Sequence, residues 1–442
     1  MRDPMHRLAL GSLAVVLAFV CACHRTEAAP PVASHPVDAA VAAAAALDPN
    51  DPASLSSATE SSGEIDPSLT VTPTGVVAVA WTSRRPGKPS VIGARFSRDG
   101  GATWETMQAI AAPEDRASTD PVLASDSSGD VYLAWLGWRA TDAGPTDSHV
   151  YVARAEAADG VFGAPVEVTD KMRHSTTVNR PWVAVTGTGN VLVTWAFASV
   201  NGDGVGIAQS TDGVKWTKGV VIERIDLHTK APYVCTSPHG ERAWVVYLDS
   251  EAGVRVRASD DGGLTWSPAR VATVSAFEDR ALVAQESPVC VGEGEQVTVA
   301  YARSRLANDA GAQTAASSVV VARSADGGRS FDDRKTYDAG ALLVMYPQMA
   351  REPDGAIDLA FYASGATPET GALRWARTTE AKAGLPASKV VRDHFRFEPT
   401  REERAWPGGS FGWTLHEGTL YAASVDNTGE LPHVVFTRTP SH

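Results

Sequence analysis

Several signatures of catalysis are missing from this sequence. It has no HExxH, no CxxC pair and no glycine-rich phosphate loop opening a helix, which removes the motif evidence for a zinc hydrolase, a thiol redox enzyme or a nucleotide-binding fold. Histidines beyond the N-terminal region, from His149 to His433, are scattered without ligand spacing, so neither a metal site nor a cofactor is expected. Basic charge is in short supply: 39 Lys and Arg stand against 52 Asp and Glu, a net charge of −13 with no basic stripe. A phosphate backbone has nothing to bind there, and nucleic acid is not an expected partner. No long amphipathic helical pattern occurs, and cysteine is limited to four residues.

The N-terminus carries the one long apolar run. Arg2, His6 and Arg7 precede Leu8 to Val20, a stretch too short to span a bilayer stably by itself and in keeping with a targeting segment. It ends in Val20-Cys21-Ala22-Cys23, which resembles a bacterial lipobox, with cleavage before Cys23 and lipid carried on that residue. The alternative is an ordinary secretory signal cut near Ala28 or Ala29, giving a secreted or periplasmic protein. Residues 24–60 are rich in Ala, Pro, Ser and Asp and poor in residues worth burying, which reads as a flexible tether. The expected organisation is a signal over 1–23, a tether over 24–60 and a single domain over 61–442. The protein is expected to act as an extracytoplasmic monomer, held to the cell envelope only through lipid.

Two repeats run through the remainder. The first is an X-Pro step followed about 14 residues later by an aromatic inside an alternating apolar run: Pro67 with Trp81, Pro121 with Trp135, Pro181 with Trp195, Pro347 with Phe361 and Pro407 with Tyr421. Pro288 with Tyr301 is one residue shorter, and Pro232 reaches Val246, with Tyr247 just beyond. Segments such as VVAVAW and VLVTW have the period of two expected of strands. Successive prolines are 51 to 60 residues apart, the length of a four-stranded blade, so the reading is an all-β, seven-bladed β-propeller. Six blades plus an appended strand pair is the alternative. The seventh unit ends on its third strand, and residues just before Ile65 are expected to supply the strand that closes the ring.

The second repeat is Ser97–Trp104, SRDGGATW, matched by SDDGGLTW at Ser259–Trp266, SADGGRSF at Ser324–Phe331 and the shorter STDGVKW at Ser210–Trp216. Asp99, Asp212, Asp261 and Asp326 are placed to accept turn hydrogen bonds, and the glycines supply positive φ. These four segments resemble the Asp-box, or BNR, repeat of the sialidase-like β-propellers. The resemblance implies the fold and treats the box as a structural clip remote from any catalytic centre. A further periodic feature, Arg95, Arg154, Gln209, Arg257, Arg323, Arg377 and Arg438 on the third strands, reads as structural, pairing with neighbouring acids or capping the turn.

Loops entering the first strands, and those joining the second to the third, are expected to surround one channel mouth. Before each repeated Pro stand Asp66, Asp120, Arg180, Ala231, Ser287, Tyr346 and Trp406. Past the second-strand aromatics lie Arg84, Arg139 and Arg303. Arg84, Arg139, Arg180, Arg303 and Trp406 are the candidate ligand-binding residues, since guanidinium grips carboxylate and aromatic faces stack on sugars. The family resemblance implies an arginine triad, a Tyr nucleophile and an Asp acid/base in true sialidases. Here the family's F/Y-R-I-P position reads Glu64-Ile65-Asp66-Pro67, and the arginine is absent. The sequence therefore favours a propeller that binds a glycan, peptide or protein without catalysis. The alternative is an exo-acting, sialidase-like glycoside hydrolase using Asp66, Asp120, Arg180 and Tyr346. Cys235 and Cys290 occupy equivalent places on neighbouring first strands, where a disulfide and a pair of buried thiols are both open.

Overall fold

The computed structural model describes residue 55 and residues 61–441, apart from 142–143, 170–176, 200–201, 226–229, 250–252, 273–287, 304–317, 332, 339–343, 365–370, 379–387, 396–409 and 430. The expected signal, most of the expected tether and Trp406 lie outside the described residues, as does the side chain of Arg303. Among the described residues every regular element is a strand.

Blade 1 sets the pattern: β1 (Gly63–Val71), β2 (Val77–Arg85), β3 (Lys88–Ser97) and β4 (Gln108–Ile110) pair in sequence order. The pattern recurs over Ala117–Glu167 (β5–β8), Thr177–Ile225 (β9–β12), Lys230–Val271 (β13–β16), Val289–Asp338 (β17–β20) and Val344–Phe395 (β21–β24). The seventh sheet contains β25 (Gly412–His416), β26 (Thr419–Asp426) and β27 (His433–Pro440). Seven sheets form a propeller, so the six-bladed alternative is set aside.

Each blade is buried on both faces, which is why its second strand is mainly apolar. Trp81, Trp135 and Trp195, aromatics of the long repeat, are fully buried. Space for two of them comes from glycine directly across the ladder: a Cβ on Gly93 would meet Trp81 at 2.6 Å, and one on Gly206 would meet Trp195 at 2.4 Å. Ring closure uses the N-terminal side of the domain. Leu55, fully buried among Val77, Trp81, Val434 and Phe436, donates its backbone N–H to Val434 on β27 at 3.0 Å.

The SxDxG turns have the bonding their sequence suggests. Asp99 accepts from Ser97 Oγ, Thr103 N and Thr103 Oγ1 at 2.8, 2.8 and 2.6 Å, and Asp261 and Asp326 repeat the arrangement. Asp212 holds the shortened copy through Ser210, Val214 and Lys215. Each turn is also held by the preceding blade. Arg438 donates to Gly100 O at 2.9 Å, Arg154 to Asp212 O at 3.1 Å and Trp244 Nε1 to Gly327 O at 3.0 Å. Gln209, with its amide nitrogen turned toward the turn, reaches Gly262 O at 3.0 Å. In the second unit, which has no SxDxG turn, Gln108 donates to Gly160 O at 2.7 Å, and Phe162 packs on Phe96. Arg257 differs, pairing instead with Glu223 of the preceding blade at 2.9 Å. Arg154, Gln209, Arg257, Arg323 and Arg438 are thus seam contacts, whereas Arg377 pairs with Glu352 and Asp354 of its own blade.

Candidate functional site at the channel mouth

The seven first strands are the innermost. Their later residues, from Ser68–Val71 in blade 1 to Phe411–Thr414 in blade 7, line a central cavity of about 690 Å³. Cys235 on β13 and Cys290 on β17 border it and are joined by a disulfide, with Cα atoms 5.7 Å apart.

At the entering end of these strands, X-Pro produces a repeated deformation. Proline has no N–H for the ladder, and the β1–β2 register skips between Ile65 and Ser68, leaving Asp66-Pro67 outside it. Equivalent skips leave out Asp120-Pro121, Arg180-Pro181, Ala231-Pro232 and Tyr346-Pro347. In four of these bulges the residue before proline is left-handed: φ is 55° at Asp66, 53° at Asp120, 53° at Arg180 and 49° at Tyr346. Non-glycine residues hold that conformation at a cost, and such positions concentrate at functional sites. All four residues are chemically equipped, and all four come from the positions that the repeat singles out.

They also meet. Asp120, Arg180 and Tyr346 line one hollow of about 50 Å³ together with Trp182, Tyr233, Gln348 and Ser410. The Arg180 guanidinium lies 6.0 Å from the Tyr346 ring centroid and hydrogen-bonds its side chain. Burial opposes the Arg180 charge, but Tyr346, Asp120 and Asp66 outweigh it, so the guanidinium is held protonated. Burial pushes the Tyr346 phenol up, and Arg180 offsets only part of this. Tyr346 is therefore a neutral hydrogen-bonding group at neutral pH, unlike an ionised nucleophile. Beneath it Trp182 and Tyr233 stack with ring centroids 4.1 Å apart.

The other candidates stand elsewhere. Arg139 is on the blade 2 rim, 2.6 Å from Glu114 and 3.6 Å from Asp147. Arg84 sits at the outer end of β2, where its carbonyl accepts from Ser62 N at 2.8 Å. Neither is among the residues lining the hollow. Beside Arg139 is a network that the sequence gives no spacing to find. Arg116, 7% exposed, pairs with Asp147 at 2.7 Å, while His149 bridges Asp147 at 2.8 Å and Glu167 at 2.5 Å. Those contacts, the Glu167 bond foremost, raise the His149 pKa against the opposing effect of burial.

Two further acids are buried away from the hollow. Burial pushes Glu64 up to about 8, despite bonds to Trp81 and Ser83 and the charge of Arg95. Burial likewise lifts Asp358 to about 7; it accepts from Trp375 Nε1 at 2.8 Å and adjoins Glu352. Among the described residues no group of three or more His, Cys, Asp or Glu could hold a metal ion.

No family model matches the chain, and no curated protein matches it in sequence. Solved structures do resemble it. A Hadza microbial sialidase superposes with a TM-score of 0.51 at 13% identity, over 86% of this chain and 66% of that one. Trypanosoma rangeli sialidase with the inhibitor DANA gives 0.50 at 13% identity, over 86% and 55%. Penicillium chrysogenum α-L-arabinanase with arabinobiose gives 0.46 at 13% identity, over 86% and 93%. The chain thus spans about two-thirds and just over half of the two sialidases. At these identities the likeness establishes a sialidase-like propeller fold and nothing of the chemistry.

Proposed function

We propose that the protein acts on a glycan at the channel mouth and cleaves a glycosidic bond there, with Asp66 and Asp120 as the carboxylate pair. The observation that carries this reading is the convergence of Asp66, Asp120, Arg180 and Tyr346 from four separate blades, each on a left-handed residue before proline. Two carboxyl groups are the minimum equipment for glycoside hydrolysis. One, protonated, gives its proton to the leaving oxygen; the other, ionised, attacks the anomeric carbon or takes a proton from an attacking water. Arg180 and Tyr346 orient the sugar by hydrogen bonds. The test is a panel of fluorogenic glycosides, sialosides included: cleavage should occur and should be lost in Asp66→Asn and in Asp120→Asn proteins that remain folded. Cleavage that survives both substitutions would sink the assignment.

The second reading is binding of a glycan or protein without turnover. It is favoured by the protonated Tyr346, which does not serve as the phenolate that a sialidase mechanism requires, and by the small hollow around it. Binding to the same panel with no product released would select it.

The lipobox-like segment ending at Cys23 supports anchoring at the bacterial envelope, and the Cys235–Cys290 disulfide suits an oxidising compartment outside the cytoplasm. Cys23→Ser should move the protein from the membrane fraction to the soluble fraction; a variant that stays in the membrane would refute lipidation there.

A further inference from the structure

The arginines of this face are already engaged. Arg116 pairs with Asp147 at 2.7 Å, and Arg139 pairs with Glu114 at 2.6 Å. On other blades Arg255 pairs with Asp249 at 2.5 Å, and Arg392 lies 3.7 Å from Asp426. At the hollow Arg180 is matched by Asp120, which lines it, and by the charge of Asp66 nearby. With one acid holding the proton that the proposed cleavage needs, one guanidinium, one carboxylate and a neutral phenol leave no net positive charge to attract an anion. A ligand carboxylate could take Arg180 only by displacing the ionised acid from it, and would then face that acid at close range, where like charges repel.

Hydrogen-bonding capacity points the same way. The ionised aspartate accepts only, Arg180 donates only, and the protonated aspartate and Tyr346 can do either. A sugar hydroxyl both donates and accepts, so a polyol can satisfy acids and guanidinium at once. A carboxylate only accepts and leaves the ionised aspartate without a donor. Below, the Trp182 and Tyr233 rings provide apolar surface against which a sugar face can pack.

We propose that the channel mouth selects neutral sugars and rejects anionic ones, so that its substrates are neutral glycans and not sialosides or uronides. This inference rests on the glycan reading above. The test uses sugar pairs that differ only in charge: methyl glucoside against methyl glucuronide, and methyl galactoside against methyl galacturonide. Affinity is measured by calorimetry and ligand-observed NMR on the full chain. The neutral member of at least one pair should bind about tenfold more tightly or better. Asp66→Asn and Asp120→Asn, each checked for folding by near-UV circular dichroism, should narrow that ratio by relieving the repulsion. Equal or tighter binding of the uronides overturns the charge inference and leaves the glycan reading standing. If neither member of any pair binds, the glycan reading falls, and this inference falls with it.

Discussion

Removing the Cys235–Cys290 disulfide, by Cys235→Ala with Cys290→Ala, should destabilise the propeller by about 4 kcal/mol. The bond closes a loop of 55 residues by sequence separation. In the chain-entropy model a loop of that length restricts the unfolded ensemble by about 4 kcal/mol at room temperature. The native state offers little to offset the loss: the Cα atoms are 5.7 Å apart, inside the ordinary range for a bridge, so cutting it releases no large backbone displacement. Cys290 is fully buried and Cys235 nearly so, within a cluster that includes Trp244, Val256, Val299 and Tyr301 across the blade 4–blade 5 seam. Alanine keeps that cluster apolar and confines the change mainly to the lost crosslink. Urea unfolding followed by tryptophan fluorescence supplies the measurement, with oxidised wild type, reduced wild type and the double variant compared. The last two should coincide and lie well below the first. A difference under about 1 kcal/mol would refute the reasoning, because it would mean that the unfolded chain loses little freedom through the bond. An Ellman assay on denatured, unreduced wild type should find neither Cys235 nor Cys290 free.

Two other perturbations probe separate parts of the fold. Glu64, pushed up to about 8 by burial, and Asp358, raised to about 7, keep protons in the folded state that the unfolded chain releases near the ordinary carboxyl values. Their contribution is fully present below about pH 4 and is lost as pH rises through 7 and 8; for Glu64 alone it is on the order of 4 kcal/mol. Thermal midpoints should therefore fall between pH 5 and 9, and Glu64→Gln should flatten the slope. A midpoint that rises over this range would contradict the burial argument. Leu55→Ala should cost about 2–5 kcal/mol, the usual range for emptying a fully buried leucine site. An unchanged unfolding midpoint would show that this residue does not help close the ring.

Much of the fold was legible because its two repeats have direct physical causes. The proline interrupts the same ladder position from blade to blade, and the aromatic about 14 residues on fills the space between blades. The site was legible only as a roster. Asp66, Asp120, Arg180 and Tyr346 could be named from their place before proline, yet a left-handed φ in each bulge is a three-dimensional fact that no spacing encodes. Arg139 stands out in the sequence for its place just past a second-strand aromatic, and its engagement by Glu114 depends on a loop geometry invisible in the chain order. Glu64 shows the reverse problem: it reads as one more polar residue near the mouth, while the fold buries it against Trp81 and gives it an acid–base behaviour unlike an exposed glutamate. Arg116, Asp147, His149 and Glu167 come together from two strands and the loop before β5, with no motif to announce them.

Side-chain pairs such as Arg257 with Glu223 run backwards, but the contacts that claim a turn carbonyl run in one direction around the ring: Gln108 to Gly160, Arg154 to Asp212, Gln209 to Gly262, Trp244 to Gly327. In each case the donor belongs to the blade made earlier and the acceptor to the one made next. A chain emerging from its N-terminus therefore always presents a finished hook before the turn that it will catch, and blades can dock in order of synthesis. One contact breaks the sequence. Arg438 must reach back across 338 residues to Gly100, so the first turn waits with its carbonyl unclaimed until the last strand has been made.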